Sequence, residues 1–190
     1  MRRHRFAPYL LVGLALATSG CGYNRLQRLD EQINQAQSQI KVQLQQRNDL
    51  IPNLVSTVKG ITRQEDTVFI SIANARAKMS GALQANNLQQ MGAASAATTS
   101  ALGRLLAISE NYPTLQSSQN FRTLQDQLEG MEHRIATART DYNTAVQQFN
   151  SAIRQFPTNL TAKMFGLAKP REYFNLTTPG AANVPTVDFH

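Results

Sequence analysis

The sequence predicts an all-α fold, a long antiparallel up-and-down four-helix bundle with a short C-terminal docking segment, and three observations predict it. Apolar residues recur at alternating steps of three and four through four long stretches, the spacing that lines one face of a helix. No stretch alternates with the two-residue period of a strand. Prolines stand between the stretches, at Pro52, Pro113 and Pro157, where a residue without an amide proton ends one helix or opens the next.

The first helix places Leu26, Leu29, Ile33, Ala36, Ile40 and Leu44 on one face. Its other faces carry glutamines such as Gln27, Gln32, Gln35 and Gln39, good helix formers without charge, which leaves few ion pairs to specify a coiled-coil partner. Pro52 ends or kinks this helix, with Asp49 placed to receive the free amides of a second. The second helix carries Leu54, Val55, Val58, Ile61, Val68, Phe69, Ile72 and Met79, is weakened at Gly60 and fades at Ser80-Gly81.

A third helix contains Leu88, Met91, Leu102, Leu105, Leu106 and Ile108 around a small-residue stretch, Gly92 to Ala101, suited to close packing. Asn111-Tyr112-Pro113 closes it, and Ser117 or Ser118 caps the fourth. That fourth helix has the clearest pattern: Phe121, Leu124, Leu128, Met131, Ile135, Ala138, Tyr142, Ala145, Phe149, Ala152 and Phe156 keep a heptad seam until Pro157 stops it. At 1.5 Å per residue it extends about 50 Å. Leu160, Met164, Phe165, Leu167, Tyr173 and Phe174 then form the docking segment, which covers one end of the core, and the tail from Thr177 is loose.

The N-terminus is an address. An arginine-rich start, an apolar run from Phe6 to Ala17 and small residues leading to Cys21 make a signal-peptide pattern over residues 1–20. About 20 apolar residues are needed to cross a bilayer, so the run is short for a permanent span. Thr18-Ser19-Gly20-Cys21 resembles a bacterial lipobox, in which the cysteine is acylated, for example with palmitate, and becomes the mature N-terminus. Thr18 departs from the usual leucine, and Ala15-Leu16-Ala17 fits ordinary signal peptidase, so cleavage after Ala17 and an uncleaved anchor stand as alternatives. The domains are then the leader 1–20, a helical bundle 21–176 and a tail 177–190.

Composition narrows the chemistry. There are 19 Lys and Arg against 12 Asp and Glu, a net charge of +7. Without Arg2, Arg3 and Arg5 the balance is 16 against 12, or +4. No basic face is interleaved with aromatics, so nucleic acid is not an expected partner. A single cysteine excludes an internal disulfide, and three histidines, His4, His133 and His190, do not assemble a metal site. No metalloprotease, phosphate-loop or nucleophile-elbow motif is present. His133 falls opposite the seam and faces water, and Glu129 and Glu132 lie on a regular helix without an obvious cleft. No catalytic residue, cofactor or metal is assigned, and the chain is expected not to be an enzyme.

A second stripe borders the fourth seam: Glu129, Glu132, Ala136, Arg139, Asn143, Val146 and Asn150. Its apolar members imply partial burial, and half-buried charges need partners. Candidates on the other helices are Arg47, Asp49, Asn53, Arg76 and Arg104. These groups form a polar network that fixes helix register, or else a solvated flank with local pairs.

Several stretches together resemble the LemA family. They are Tyr23-Asn24, the run from Gln46 to Val55, Thr57-Val58-Lys59-Gly60, Ala75-Arg76, the run from Ala101 to Ala107, and Glu110-Asn111-Tyr112-Pro113. Leu128-Glu129-Gly130, Glu132, Arg134-Ile135-Ala136, Ala138-Arg139, Tyr142-Asn143 and Phe156-Pro157 continue the resemblance, and Phe165-Gly166 and Tyr173-Phe174 end it. The resemblance implies a bromodomain-like bundle tethered to the bacterial envelope by its N-terminus, and no biochemical activity. Family members often carry a single N-terminal membrane helix, from which the lipobox-like leader departs.

The function expected is that of a non-enzymatic envelope lipoprotein, its bundle on the periplasmic or outer side, presented to a protein partner. Met164, Phe165, Tyr173 and Phe174 are candidate partner contacts. An accessory factor or adaptor of an envelope protease, or a membrane-shaping protein, is the alternative.

Overall fold

The computed structural model describes residues 7–60 and 66–174, with side chains from residue 22 onward. The tail from Thr177 and all the side chains of the expected leader 1–20, with the Cys21 thiol, lie outside the described residues. Among the described residues the protein is all-helical, with no strand: α1 Ala7–Lys59, α2 Asp66–Gln84, α3 Leu88–Ser109, α4 Pro113–Gln116, α5 Gln119–Ala152 and α6 Thr158–Met164.

The expected break at Pro52 is not there. Helix α1 runs 53 residues with Pro52 inside it, so Leu54, Val55 and Val58 belong to the first helix, and the second starts at Asp66; Ile61 lies outside the described residues. A proline in a helix interior costs about 3 kcal/mol. Burying Ile51, Leu54 and Val58 offsets that cost, at about 1.5–3 kcal/mol each, since all three are sealed from solvent. Asp49 therefore caps nothing; it is exposed and accepts from Gln45 Nε2 at 2.8 Å. Gly60 follows the last residue of α1 instead of weakening the middle of a helix.

Helix α2 passes through Ser80-Gly81 and stops at Gln84, later than expected. Asn86 takes the left-handed conformation, φ 50°, which asparagine tolerates better than most residues. The Asn87 N–H donates back to the Ala82 carbonyl at 3.3 Å, and the Asn87 side chain accepts from the Gln90 amide at 2.9 Å, capping α3. Three residues thus turn α2 into α3, and the two helices pack together.

The chain falls into two compact units: residues up to Ser38 with Ala138–Tyr173, and Gln39–Thr137 with residues from Phe174. In the second unit Ile51, Leu54, Val58, Phe69, Ile72, Leu102, Leu105, Leu115, Phe121 and Leu128 form one apolar cluster. In the first, Leu26, Ile33, Ala138, Tyr142, Ala145, Phe149, Ala152 and Ala162 are buried.

The α5 seam is buried as expected at Phe121, Leu128, Met131, Ile135, Ala138, Tyr142, Ala145, Phe149 and Ala152. It ends there. Phe156 is 79% exposed and outside the helix, because the backbone tightens first: Arg154 and Gln155 donate to carbonyls three residues back. The docking segment also departs from expectation. In α6 the buried side chains are Thr158, Thr161 and Ala162, while Leu160 and Met164 are exposed. The small side face packs because space is short: a Cβ at Gly22 would lie 2.9 Å from Thr161 Oγ1.

Candidate functional site

Three polar residues of α1, Gln43, Arg47 and Asn48, tie the second unit together. Arg47 extends from α1 with its side chain 3% exposed, and its Nη2 meets Glu132 Oε1 of α5 at 2.7 Å. The same nitrogen donates to Thr99 Oγ1 of α3 at 3.0 Å. Thr99 in turn lies 3.0 Å from Glu132 Oε1 and 3.1 Å from the Ser95 carbonyl, so its one hydroxyl proton chooses between them. One turn earlier, Gln43 accepts from Arg134 Nε at 3.2 Å. Beside Arg47, Asn48 Nδ2 donates to Ser80 Oγ of α2 at 3.1 Å. Residues 43, 47 and 48 therefore reach α5, α3 and α2 from adjacent turns of one helix.

The geometry fits a structural pair. A buried guanidinium needs an anion and more than one acceptor, and removing either partner leaves an expensive uncompensated charge. Glu132 remains 39% exposed, which lowers the desolvation cost compared with a sealed pair. Beside the pair opens a cleft of about 280 Å³ with Leu102, Leu106 and Leu128 among its lining residues and Glu129 and Glu132 also on its wall. Sequence reasoning gave these carboxylates no cleft; α3 supplies its other wall. Glu132 is committed to Arg47 and Thr99, and Glu129 is exposed.

Of the predicted network, Arg47 and Glu132 come together and Glu129 borders them. Asp49, Asn53, Arg76 and Arg104 are exposed, while Arg139 and Asn143 are half-buried in the first unit. The Asn53 carbonyl accepts from Ser56 and Thr57 one turn on, at 2.9 Å each. Sequence reasoning missed Thr99, Asn48, Ser80, Gln43 and Arg134. Thr99 sits in the small-residue stretch, where its size was legible and its hydroxyl's use was not. His133 is exposed, as expected.

The first unit has its own polar cluster, around the segment after α6. Gly166 adopts φ 72° and the Leu167 N–H returns to the Ala162 carbonyl at 2.8 Å, ending α6 in a left-handed cap. Asn150 then clamps Arg171 on both sides, donating to its carbonyl at 2.9 Å and accepting from its amide at 2.8 Å. Tyr142 donates its hydroxyl to the Glu172 carbonyl at 3.0 Å. The Arg171 guanidinium pairs with Asp30 and lies over the Phe149 ring, 5.8 Å from its centroid. Burial pushes the Tyr142 phenol up from its usual 10.0; Arg171 opposes and Glu172 adds to the shift. Of the candidate partner contacts, Met164, Phe165 and Tyr173 are exposed, but Phe174 is buried and is removed from the set.

Among the described residues no group of three or more His, Cys, Asp or Glu is placed to hold a metal ion, and no helix is long and apolar enough to cross a membrane. Residues 36–189 match the LemA family. The chain belongs to the LemA family. Magnetosome proteins MamQ 2 and MamQ 1 of Paramagnetospirillum magneticum are each 29% identical to it over 202 residues, covering 93% of this chain and 73% of theirs. Magnetosome protein MamQ of Magnetospirillum gryphiswaldense is 28% identical over 187 residues, covering 86% of this chain and 68% of its own. The LemA match takes in Arg47, Thr99 and Glu132, so the inter-helix pair lies inside the family domain.

Proposed function

We propose that this LemA-family chain is a non-enzymatic, membrane-tethered protein of the bacterial envelope that presents its helices to a protein partner. The observation that carries the reading is that Cys21 and the residues just after it lie within α1 with no linker between, Gly22 packing on Thr161 of α6. Attachment at Cys21 would fix how the helix that follows it leaves the membrane, which a flexible linker would not. Cys21 is the lipid attachment point in this reading, with the leader 1–20 removed and the remainder on the periplasmic or outer side. Two acyl chains would give stable attachment where one gives only reversible binding. The deep polar side chains support a non-catalytic role, because Arg47, Thr99 and Glu132 are used on one another.

The test is cell fractionation with mass measurement of the mature N-terminus. The expected product sediments with membranes and begins with an acylated Cys21, and Cys21→Ser moves it to the soluble fraction. A cytosolic chain with Met1 intact and no acyl group would overturn the tether. Unchanged membrane retention of Cys21→Ser would overturn the lipid and leave an uncleaved helix as the anchor. A photo-crosslinking residue at Glu129, beside the cleft, is expected to capture a protein in cells; capture of none from any exposed bundle position would overturn the partner role.

A further inference from the structure

We infer that α6 and its flanks form a second membrane contact, an apolar patch that lies in the surface of an anionic bilayer beside the anchor; the inference rests on the tether reading above. Phe156, Leu160 and Met164 are 79%, 58% and 65% exposed, and Phe165 beside them is also exposed. Large apolar side chains clustered within ten residues are unusual on a surface that meets only water. Leu160 and Met164 stand one turn apart on α6, on the face opposite the packed Thr158, Thr161 and Ala162. The small, partly polar face is turned inward and the greasy one outward.

Position names the occupant. Thr161 packs on Gly22, and the Phe165 ring lies 4.6 Å from that of Tyr23. Gly22 is the residue after Cys21, so α6 is fastened to α1 where the tether places the membrane. Aromatic rings with a polar edge, such as Tyr23, favour the headgroup level. Charge agrees with position. Arg154, Lys163 and Lys169, all exposed, stand within a few residues of the patch in the chain, while the exposed carboxylates of this unit, Glu31, Asp141 and Glu172, lie farther along it; cations next to an apolar patch are drawn to anionic headgroups. A protein groove would also accept apolar side chains, but it would not require them at the anchor.

The chain contains no tryptophan, which makes a direct test possible. Leu160→Trp in the full-length protein, reconstituted into vesicles of equal parts phosphatidylethanolamine and phosphatidylglycerol, is expected to emit to the blue and to be quenched by brominated lipid. The control is Ile70→Trp, at an equally exposed apolar position of α2 in the other unit, and it is expected to be quenched severalfold less. Equal quenching at the two positions, with the wild type still sedimenting with the vesicles, would overturn the patch while leaving the tether intact. Failure of the wild type to sediment would remove the tether and the patch with it. Should Leu160→Asp abolish a protein crosslink in cells while Leu160→Trp stays unquenched, the patch is a protein surface and the lipid assignment is wrong. Full quenching at Leu160 and loss of it with uncharged phosphatidylcholine would establish the anionic preference.

Discussion

In the unit built on Gln39–Thr137 polar side chains join helix to helix, whereas in the one built on Ala138–Tyr173 they hold an irregular segment. Helices satisfy their own backbones, so Arg47, Thr99 and Glu132 can be spent on one another. The stretch after α6 has no such internal ladder. Its amides and carbonyls need outside partners, and Asn150 and Tyr142 supply them. Each unit has an ion pair, Arg47–Glu132 in one and Arg171–Asp30 in the other, but only the latter unit also uses side chains to satisfy the backbone of an irregular segment.

The largest test of this contrast removes neither polar set. Leu105 is fully buried in the apolar cluster of the second unit, and Leu105→Ala is expected to cost about 3 kcal/mol in urea unfolding, by lost transfer energy and the cavity left behind. A smaller effect than that of either polar variant would mean that charge, not packing, dominates there. Next comes Glu132→Ala, expected to cost about 2–3 kcal/mol, below the range for a sealed pair because the carboxylate is partly wet. The double variant Arg47→Met, Glu132→Leu should recover most of that loss in the same assay, since no buried charge is then stranded.

Asn150→Ala is expected to cost about 2 kcal/mol, from two hydrogen bonds to the backbone of Arg171. Amide exchange near Arg171 should speed up, while the amides of α3 keep their protection; equal acceleration in both places would erase the contrast. The smallest effect is that of Tyr142→Phe, about 1 kcal/mol near neutral pH. Because burial raises the folded pKa of Tyr142 above 10.0, its contribution is complete below that pH and declines as pH rises through the folded value. Alkaline titration of stability should show that decline in the wild type and a shallower one in Tyr142→Phe.

Much of this was legible from residue order. The seams of α1 and α5 were, because a face that repeats every three or four residues has to be covered by something. Half of the ion pair was legible too: Arg47 and Glu132 belonged to the candidate set, but nothing in the spacing chose Glu132 over Glu129 or Arg47 over Arg104. That choice needs the rotation of three helices about their axes. Thr99 was hidden in a run of small residues, and Asn150 was visible only as a member of a stripe, since its partner is a backbone 21 residues away.

The sequence by itself determined that the protein is helical and which faces of its long helices are buried. Those follow from local periodicity and composition, which short-range physics reads directly. Tertiary structure alone decided that α1 ignores Pro52, that α5 stops before Phe156, and that α6 turns its apolar face outward. In each case the local preference is worth a few kcal/mol at most, and packing against residues distant in sequence is worth as much or more.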